Sequence, residues 1–283
     1  MKLIEVWRYP VKSMRGERLT RAAVGGLGIA GDRGWALRDE TAGEIRGAKK
    51  IPALLQCRAR YLSEPRAGSI PPAEITLPDG EKLRSDDGHA AAKLSTVLGR
   101  AVTIWPLQPA ENREHYRHGI PDDPDLMKEL RSIFGRLEDE PLPDLSVFPS
   151  ELFKYTSPLG TYFDAFPLHL LTTATLTALR QRNRGAGFEV ERFRPNLVVD
   201  TLDAEGFIEN EWGGRTLRLG SVRIKAQVAC PRCVMTTLPQ ADLPHDPSVL
   251  RTIVRDAAQN VGIYLTVEAP GEISVGDEVV VEP

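Results

Sequence analysis

An α+β fold is what this sequence predicts, and three observations predict it. Short alternating apolar runs follow one another from Lys2 to Trp105, with one helix-like stretch among them. Beyond that point, helix patterns with their own caps and stops are interspersed with apolar runs of strand length. At 283 residues, with 41% hydrophobic and 27% charged content, the chain suits one large or two modest globular domains.

The elements follow in order. Lys2–Trp7 reads as a strand that ends at Tyr9-Pro10-Val11-Lys12-Ser13, because Pro10 holds Tyr9 extended and breaks the ladder. Lys12 and Ser13 then sit on a turn, where a cation and a hydroxyl could meet a phosphate or simply face water. A second strand, Leu19 to Val24, enters a glycine-rich stretch in which Gly26, Gly28 and Gly31 fit the dinucleotide-binding fingerprint by spacing. The fingerprint works only when a helix opens at the motif, and here the strand-like Trp35-Ala36-Leu37-Arg38 follows. The glycines are therefore read as a turn between strands, with Arg33 beside Lys12 if the strand ends converge. Residues 54–62 read as a strand with Cys57 as a buried small hydrophobe. Residues 73–84 read as a hairpin around Pro78-Asp79-Gly80, His89–Leu98 as a short helix stopped by Gly99, and Ala101–Trp105 as a strand.

From Gln108 to Tyr162 prolines punctuate the chain. One helix stands out there, capped by Asp122 or Asp123, with Leu126, Met127, Leu130, Ile133 and Phe134 as its apolar face and Gly135 as its stop. His115 and His118 are expected at the surface. A strand then leads to Thr172 or Thr173 as the cap of a helix reaching about Asn183, and His169 is expected to be a satisfied core residue. Arg192, Arg194 and Asn196 enter an apolar strand, a grouping suited to gripping an anion if the arginines are not simply solvated. Asp246-Pro247 starts a helix with Val249, Leu250, Ile253, Val254 and Ala257 on one face. Tyr264 lies in the strand after it, and Glu278–Val281 is a final strand.

The stretch richest in chemistry is Cys230-Pro231-Arg232-Cys233, which the alternating run Val222–Val228 delivers as a strand end. A thiolate rather than a thiol binds metals and attacks electrophiles, and Arg232 between the cysteines could favour that form. A zinc site needs a second ligand pair, and only His245 lies downstream. A thioredoxin-like dithiol needs a helix opening at the motif, which Pro239 and Pro244 discourage. Spacing alone leaves a metal or cofactor thiolate and inert structural cysteines both open. In an extended chain this odd spacing would send the two side chains to opposite faces.

Bulk properties narrow the classes. A net charge of −3 and pI near 6.0 argue against nucleic-acid binding. Three cysteines give no disulfide framework and suit a reduced cytoplasm. No apolar run approaches the roughly 20 residues that span a bilayer, and the strand-like start does not read as a signal peptide.

Taken together, Tyr9-Pro10-Val11-Lys12-Ser13, Gly31-Asp32-Arg33 with Trp35, Phe193-Arg194-Pro195-Asn196, Cys230-Pro231-Arg232-Cys233 with Thr236-Thr237, and Pro270-Gly271 through Val275-Gly276-Asp277 resemble the MOSC family. That family is named for the C-terminal domain of molybdenum cofactor sulfurase and includes the mitochondrial amidoxime-reducing components and bacterial counterparts. The resemblance implies a two-part, β-barrel-rich architecture with a few short helices. Residues 1–118 would be a MOSC N-terminal β-barrel domain, 119–162 an elaborated connection, and 163–283 the MOSC domain. It implies a molybdenum–pterin cofactor (the molybdenum cofactor), with Cys233 as the metal ligand and catalytic centre. Lys12, Ser13, Arg33, Arg194 and Asn196 map to the pocket for the pterin and its phosphate, and Tyr264 to an aromatic position near the pterin. Thr172, Thr173 and Asp164 map more loosely. Implied with these are a small N-hydroxylated substrate and an external electron-donor protein, since no haem, flavin or iron–sulfur signature is visible. Residues 119–162 are longer than the matching connection in the amidoxime reducers. A cofactor carrier, or a sulfur carrier using a persulfide on Cys230 or Cys233, would use the same residues.

The glycine-rich loop gives a first prediction. NADH and NADPH should show no saturable binding at Gly26–Gly31, checked by fluorescence titration of the cofactor.

Overall fold

The computed structural model describes residues 1–66 and 68–282, and the fold is α+β. Its largest sheet has eight strands in the order Val279–Val281, Thr216–Leu219, Val222–Pro231, Asn260–Ala269, Leu168–Thr172, Leu197–Asp200, Lys2–Arg8, Glu17–Leu19. Neighbours are antiparallel except Leu168–Thr172 and Leu197–Asp200, which run parallel across the helix Thr173–Arg182. Three smaller antiparallel sheets of three strands each complete the β structure.

Both ends of the chain enter the same sheets. The first strand pairs with Leu197–Asp200, and Gly271–Ser274 pairs with Arg21–Gly25. One apolar core, with Leu3, Leu170, Val199, Ile224, Ile263 and Val279 among its members, therefore joins residues far apart in sequence. A second core fills the N-terminal sheets through Val11, Trp35, Leu54, Ile75 and Val102, and Met235 is buried in it with Cys233 partly buried alongside. The cysteine loop thus lies on the seam between the two halves. A third core packs the helices Thr173–Arg182 and Pro247–Asp256 over the large sheet through Leu176, Leu179, Val249 and Ile253.

Local signals explain most elements. Thr172 caps its helix by accepting from the Thr175 amide, and Asp246 caps the next by accepting from the Ser248 amide, with Pro247 in the first turn. Gly99 and Gly135 end their helices in the left-handed conformation. The hairpin at 73–84 forms, and no helix opens at the glycine-rich loop, which turns Arg21–Gly25 into Gly28–Ile29. Cys57 is buried, and so is His169, whose Nε2 lies 3.1 Å from the Val261 carbonyl.

Several expectations are corrected. Residues 54–57 are not strand. Pro52–Gln56 forms a 3-10 helix that buries the consecutive Leu54 and Leu55, and the strand is Arg58–Tyr61. The expected strand from Leu19 to Val24 breaks at Thr20, because its two parts pair in different sheets. Helix Leu126–Phe134 is capped by Asp125 rather than Asp122 or Asp123, and its apolar residues do not reach the core. His115 is buried, with Nε2 2.8 Å from the Tyr162 hydroxyl. The expected apolar strand forms at Leu197–Asp200, and the short helix Val190–Phe193 precedes it, with Arg194 ending the helix.

Glu209 is fully buried. Its Oε2 accepts from Thr172 and Thr175 hydroxyls at 2.7 Å each, while Oε1 has no partner. Burial raises its pKa against those two hydrogen bonds. A raised carboxyl pKa contributes stability that is fully present below the unfolded value of about 4.3 and is lost as pH rises through the folded value. Glu209→Gln should therefore gain thermal midpoint relative to the native chain as pH rises from about 4 towards neutral. Parallel melts across that range check it, and a pH-independent difference would contradict it.

Candidate functional site

Two turns build one wall of the cleft. The Lys12 amide donates to the Trp35 carbonyl at 2.8 Å, and the Arg33 amide donates to the Tyr9 carbonyl at 2.7 Å. The strand ends do converge, as the bridge between Val11 and Trp35 shows. Ser13, Arg33 and Arg194 all have left-handed backbone, with φ of 67°, 50° and 54°. Non-glycine residues rarely adopt it, and such strain persists only where the surrounding structure imposes it. Gly47 is required beside Ser13, since a Cβ there would come within 2.5 Å of the Ser13 hydroxyl oxygen.

The cations then meet around one carboxylate. Lys12 Nζ donates to the Tyr162 carbonyl at 2.7 Å and to Asp164 Oδ1 at 3.0 Å, and Lys49 Nζ lies 3.3 Å from Asp164 Oδ2. Although burial opposes it, Lys12 and Lys49, with Arg33 adding to them, hold the Asp164 carboxyl well below its usual range. Burial likewise pulls Lys49 down, but Asp164 and then Cys233 raise it overall. Arg33 and Arg194 lie over the Tyr9 ring, their guanidinium carbons 4.9 and 4.2 Å from its centre. Arg194 Nη1 donates to the Met14 carbonyl at 2.8 Å, while its Nη2 is buried without a partner. Burial, with Arg33 nearby, pushes Arg194 down to about 10.

Asn196 acts behind this wall. Its Nδ2 donates to Asp32 Oδ2 at 2.9 Å and to the Trp7 carbonyl at 3.3 Å, and its Oδ1 accepts from the His169 amide at 3.2 Å. Asp32 in turn pairs with Arg33 and accepts from the Tyr9 amide at 2.8 Å. Arg192, by contrast, is a structural group. It is buried and donates to the carbonyls of Thr236, Leu238 and Pro244.

The opposite wall is the cysteine loop. The strand ends at Pro231, and Cys233 opens the short 3-10 helix Val234–Thr237. The alternation expected for an extended chain thus does not decide how the two thiols lie. Cys230 is buried, and Arg232 Nη1 donates to its sulfur at 2.9 Å while Nη2 donates to the Phe193 carbonyl at 2.9 Å. Burial nevertheless raises the Cys230 thiol, so Arg232 solvates this sulfur without making it a free thiolate. Cys233 is half-buried, against the N-terminal core that Met235 enters. Tyr264 neighbours Cys230, and burial followed by that thiol holds its phenol well above the usual range, hence neutral.

Three contributors escaped sequence reasoning. Lys49 gave no signal within Gly-Ala-Lys-Lys, which reads as a solvated run. Tyr9 stood in a recognised stretch without a role. Arg136, buried, comes from the expected connection. It donates to the Arg232 carbonyl at 3.0 Å and to Gln259 Oε1 at 3.0 Å.

With this geometry in place, comparisons with known proteins decide the kinship. A model described as MOSC domain matches residues 159–280, and one described as MOSC N-terminal beta barrel domain matches residues 1–99. The human mitochondrial amidoxime-reducing component 1 is 30% identical over 97% of this chain and 81% of its own length. The chain belongs to the MOSC family. The human mitochondrial amidoxime reducing component 2 is 28% identical over 97% of this chain and 82% of its own, and the rat protein of that name is 27% identical over 97% and 81%. Among the described residues of this MOSC protein, no helix is long and apolar enough to cross a membrane.

A cleft with four cations against two carboxylates, Asp164 and Asp32, and a buried unpartnered guanidinium nitrogen should bind anions before any larger ligand is considered. Phosphate should raise the thermal midpoint above that in chloride at equal ionic strength. Arg194→Ala should remove most of that increment with little change in chloride, because it deletes a poorly compensated buried charge. Melting curves in the two salts check both statements.

Proposed function

We propose that this chain is a molybdenum–pterin oxidoreductase that reduces N-hydroxylated substrates such as amidoximes, hydroxylamines or N-hydroxylated bases. The observation that carries the reading is Arg194 Nη2, buried without a partner beside Arg33 on the Tyr9 ring, with Lys12 and Lys49 gathered on Asp164 and Lys49 within the influence of Cys233. A phosphate-bearing, anionic cofactor fits that vacancy in the hydrogen bonding. Among the described residues no group of three or more His, Cys, Asp or Glu could hold a metal ion. A metal at Cys233 therefore needs a cofactor that brings its own ligands, and a soft thiolate suits a metal already held by sulfur. The curated relatives, named amidoxime reducing components, support the reaction class.

In this reading the bound cofactor supplies the two-electron chemistry that removes the substrate's oxygen as water. Cys233 contributes the protein thiolate. Arg33 and Arg194 grip the phosphate from the Tyr9 platform, with Lys12 and Ser13 beside them. Asn196 acts through Asp32, which fixes Arg33. Tyr264, kept neutral, offers an aromatic edge to the pterin and a hydrogen bond near the cysteines. Electrons come from an external donor protein, and the compartment is the cytoplasm.

Two cysteine variants test this. Cys233→Ser should lower hydroxylamine reduction, driven by a chemical electron donor, more than about a hundredfold, because a hard hydroxyl poorly replaces a soft thiolate. Molybdenum content should fall with it. Cys230→Ser should keep most metal and turnover, with a modest loss of stability from the altered Arg232 contact. Equal loss in both variants would favour a dithiol mechanism, and full activity of Cys233→Ser would overturn the assignment. Metal retention without any turnover by the native chain would favour a carrier, and cyanide-releasable sulfur without molybdenum a sulfur carrier.

A further inference from the structure

Neither family match reaches residues 100–158. One side chain from that stretch nevertheless stands at the cleft. Phe148 places its ring 6.2 Å from Phe166 and 6.3 Å from Tyr264, and the latter two rings are 5.2 Å apart. Each of the three is only half-buried. The cluster therefore presents ring surface outward instead of closing on itself, as a core cluster would.

Its position ties it to the cysteines. Phe166 lies two residues beyond Asp164, and Tyr264 neighbours Cys230 and is influenced by Asp164. The rest of the cleft is lined by charge, with Lys12, Lys49, Arg33 and Arg194. The three rings add apolar surface beside Asp164 and Cys230. Phe148 is also held in place. Its amide donates to the Leu145 carbonyl at 3.3 Å, and Pro149 stiffens the chain after it. Earlier in the same segment, Arg136 binds the Arg232 carbonyl, and Gly135 packs so close that a Cβ there would lie 3.2 Å from Val234 Cα.

We propose that Phe148, with Phe166 and Tyr264, forms a specificity wall that selects N-hydroxylated substrates carrying a flat aromatic ring. This rests on the reductase reading above and adds the substrate class and the residue that sets it. Offset or edge-on contact with a second ring gives stabilisation that a methyl group of the same substrate cannot match. The wall's outer ring comes from a segment outside both family-model matches.

The test compares benzamidoxime with acetamidoxime, which differ by a ring in place of a methyl. With the cofactor-loaded protein and a chemical electron donor, Phe148→Ala should lower the ratio of kcat/KM for the aromatic over the aliphatic substrate about three- to tenfold. Phe148→Tyr should restore the ratio. Phe153→Ala, an exposed phenylalanine of the same segment, should leave it unchanged. Calorimetric binding of benzamidoxime without an electron donor should weaken by a similar factor in Phe148→Ala, with molybdenum content unaltered. An unchanged ratio, an equal loss for both substrates, or a fall in molybdenum content would overturn the proposal, the last because the ring would then hold the cofactor. Failure of native protein to bind benzamidoxime would also overturn it. If native protein binds benzamidoxime through Phe148 but reduces neither compound, the reductase reading fails and the wall stands.

Discussion

Asp164 holds the cleft together. It accepts Lys12 on one oxygen and Lys49 on the other, and it is the carboxylate that Arg33 and Arg194 also sense. Two like charges about 6 Å apart at an effective dielectric near 20 repel by roughly 3 kcal/mol. Asp164, with Asp32 on Arg33, gives two carboxylates against four such cations, so a net positive charge remains at the cleft. The backbone shares the burden. Ser13, Arg33 and Arg194 each sit in a left-handed conformation that costs of order 1–3 kcal/mol. An anion entering such a site would offset the charge repulsion, which is the physical ground for the anion-binding expectation.

That strain persists because the sheets leave no freedom to relax it. The first strand is locked between Leu197–Asp200 and Glu17–Leu19, and the strand after Asn196 is locked between the first strand and Leu168–Thr172. The turns carrying Lys12 and Arg194 are therefore outgrowths of adjacent strands in one sheet. Tyr9 joins them, with its hydroxyl on the Pro195 carbonyl at 3.0 Å and both guanidinium groups over its ring.

How much of this could be read from residues alone depends on the range of the signal. Caps such as Thr172 and Asp246, stops such as Gly99 and Gly135, and the absence of a helix after Gly31 are local, and they were legible. The motif stretches placed Lys12, Ser13, Arg33 and Arg194 in view, and the fold brings Arg33 and Arg194 together over Tyr9 and Lys12 onto Asp164. Lys49 was not legible, because nothing in a run of two lysines says that Asp164 waits across the cleft. The burial of His115 depends on Tyr162, 47 positions away, and the exposed face of Leu126–Phe134 had the same periodicity as a buried one. Periodicity reports a face and not its partner.

The two cysteines show why long-range contacts decide chemistry. In the sequence, Arg232 stands next to Cys233 and two positions from Cys230, so adjacency alone points it at the wrong thiol. In the fold, Arg232 turns to the buried Cys230 and to the Phe193 carbonyl, while its own carbonyl accepts from Arg136. The Arg232 amide donates to Gln259, whose side chain accepts from Arg136 in turn. Cys230 thereby becomes a fixed element of the loop, with its sulfur already hydrogen-bonded. Cys233 carries no such tether on its sulfur and opens a tight helical turn anchored by Met235 in the N-terminal core. A metal ligand needs this combination: an unencumbered donor atom on a backbone that cannot move, since precision comes from the supporting contacts and not from the ligand itself. The chain uses one cysteine to build the platform and leaves the other free on it.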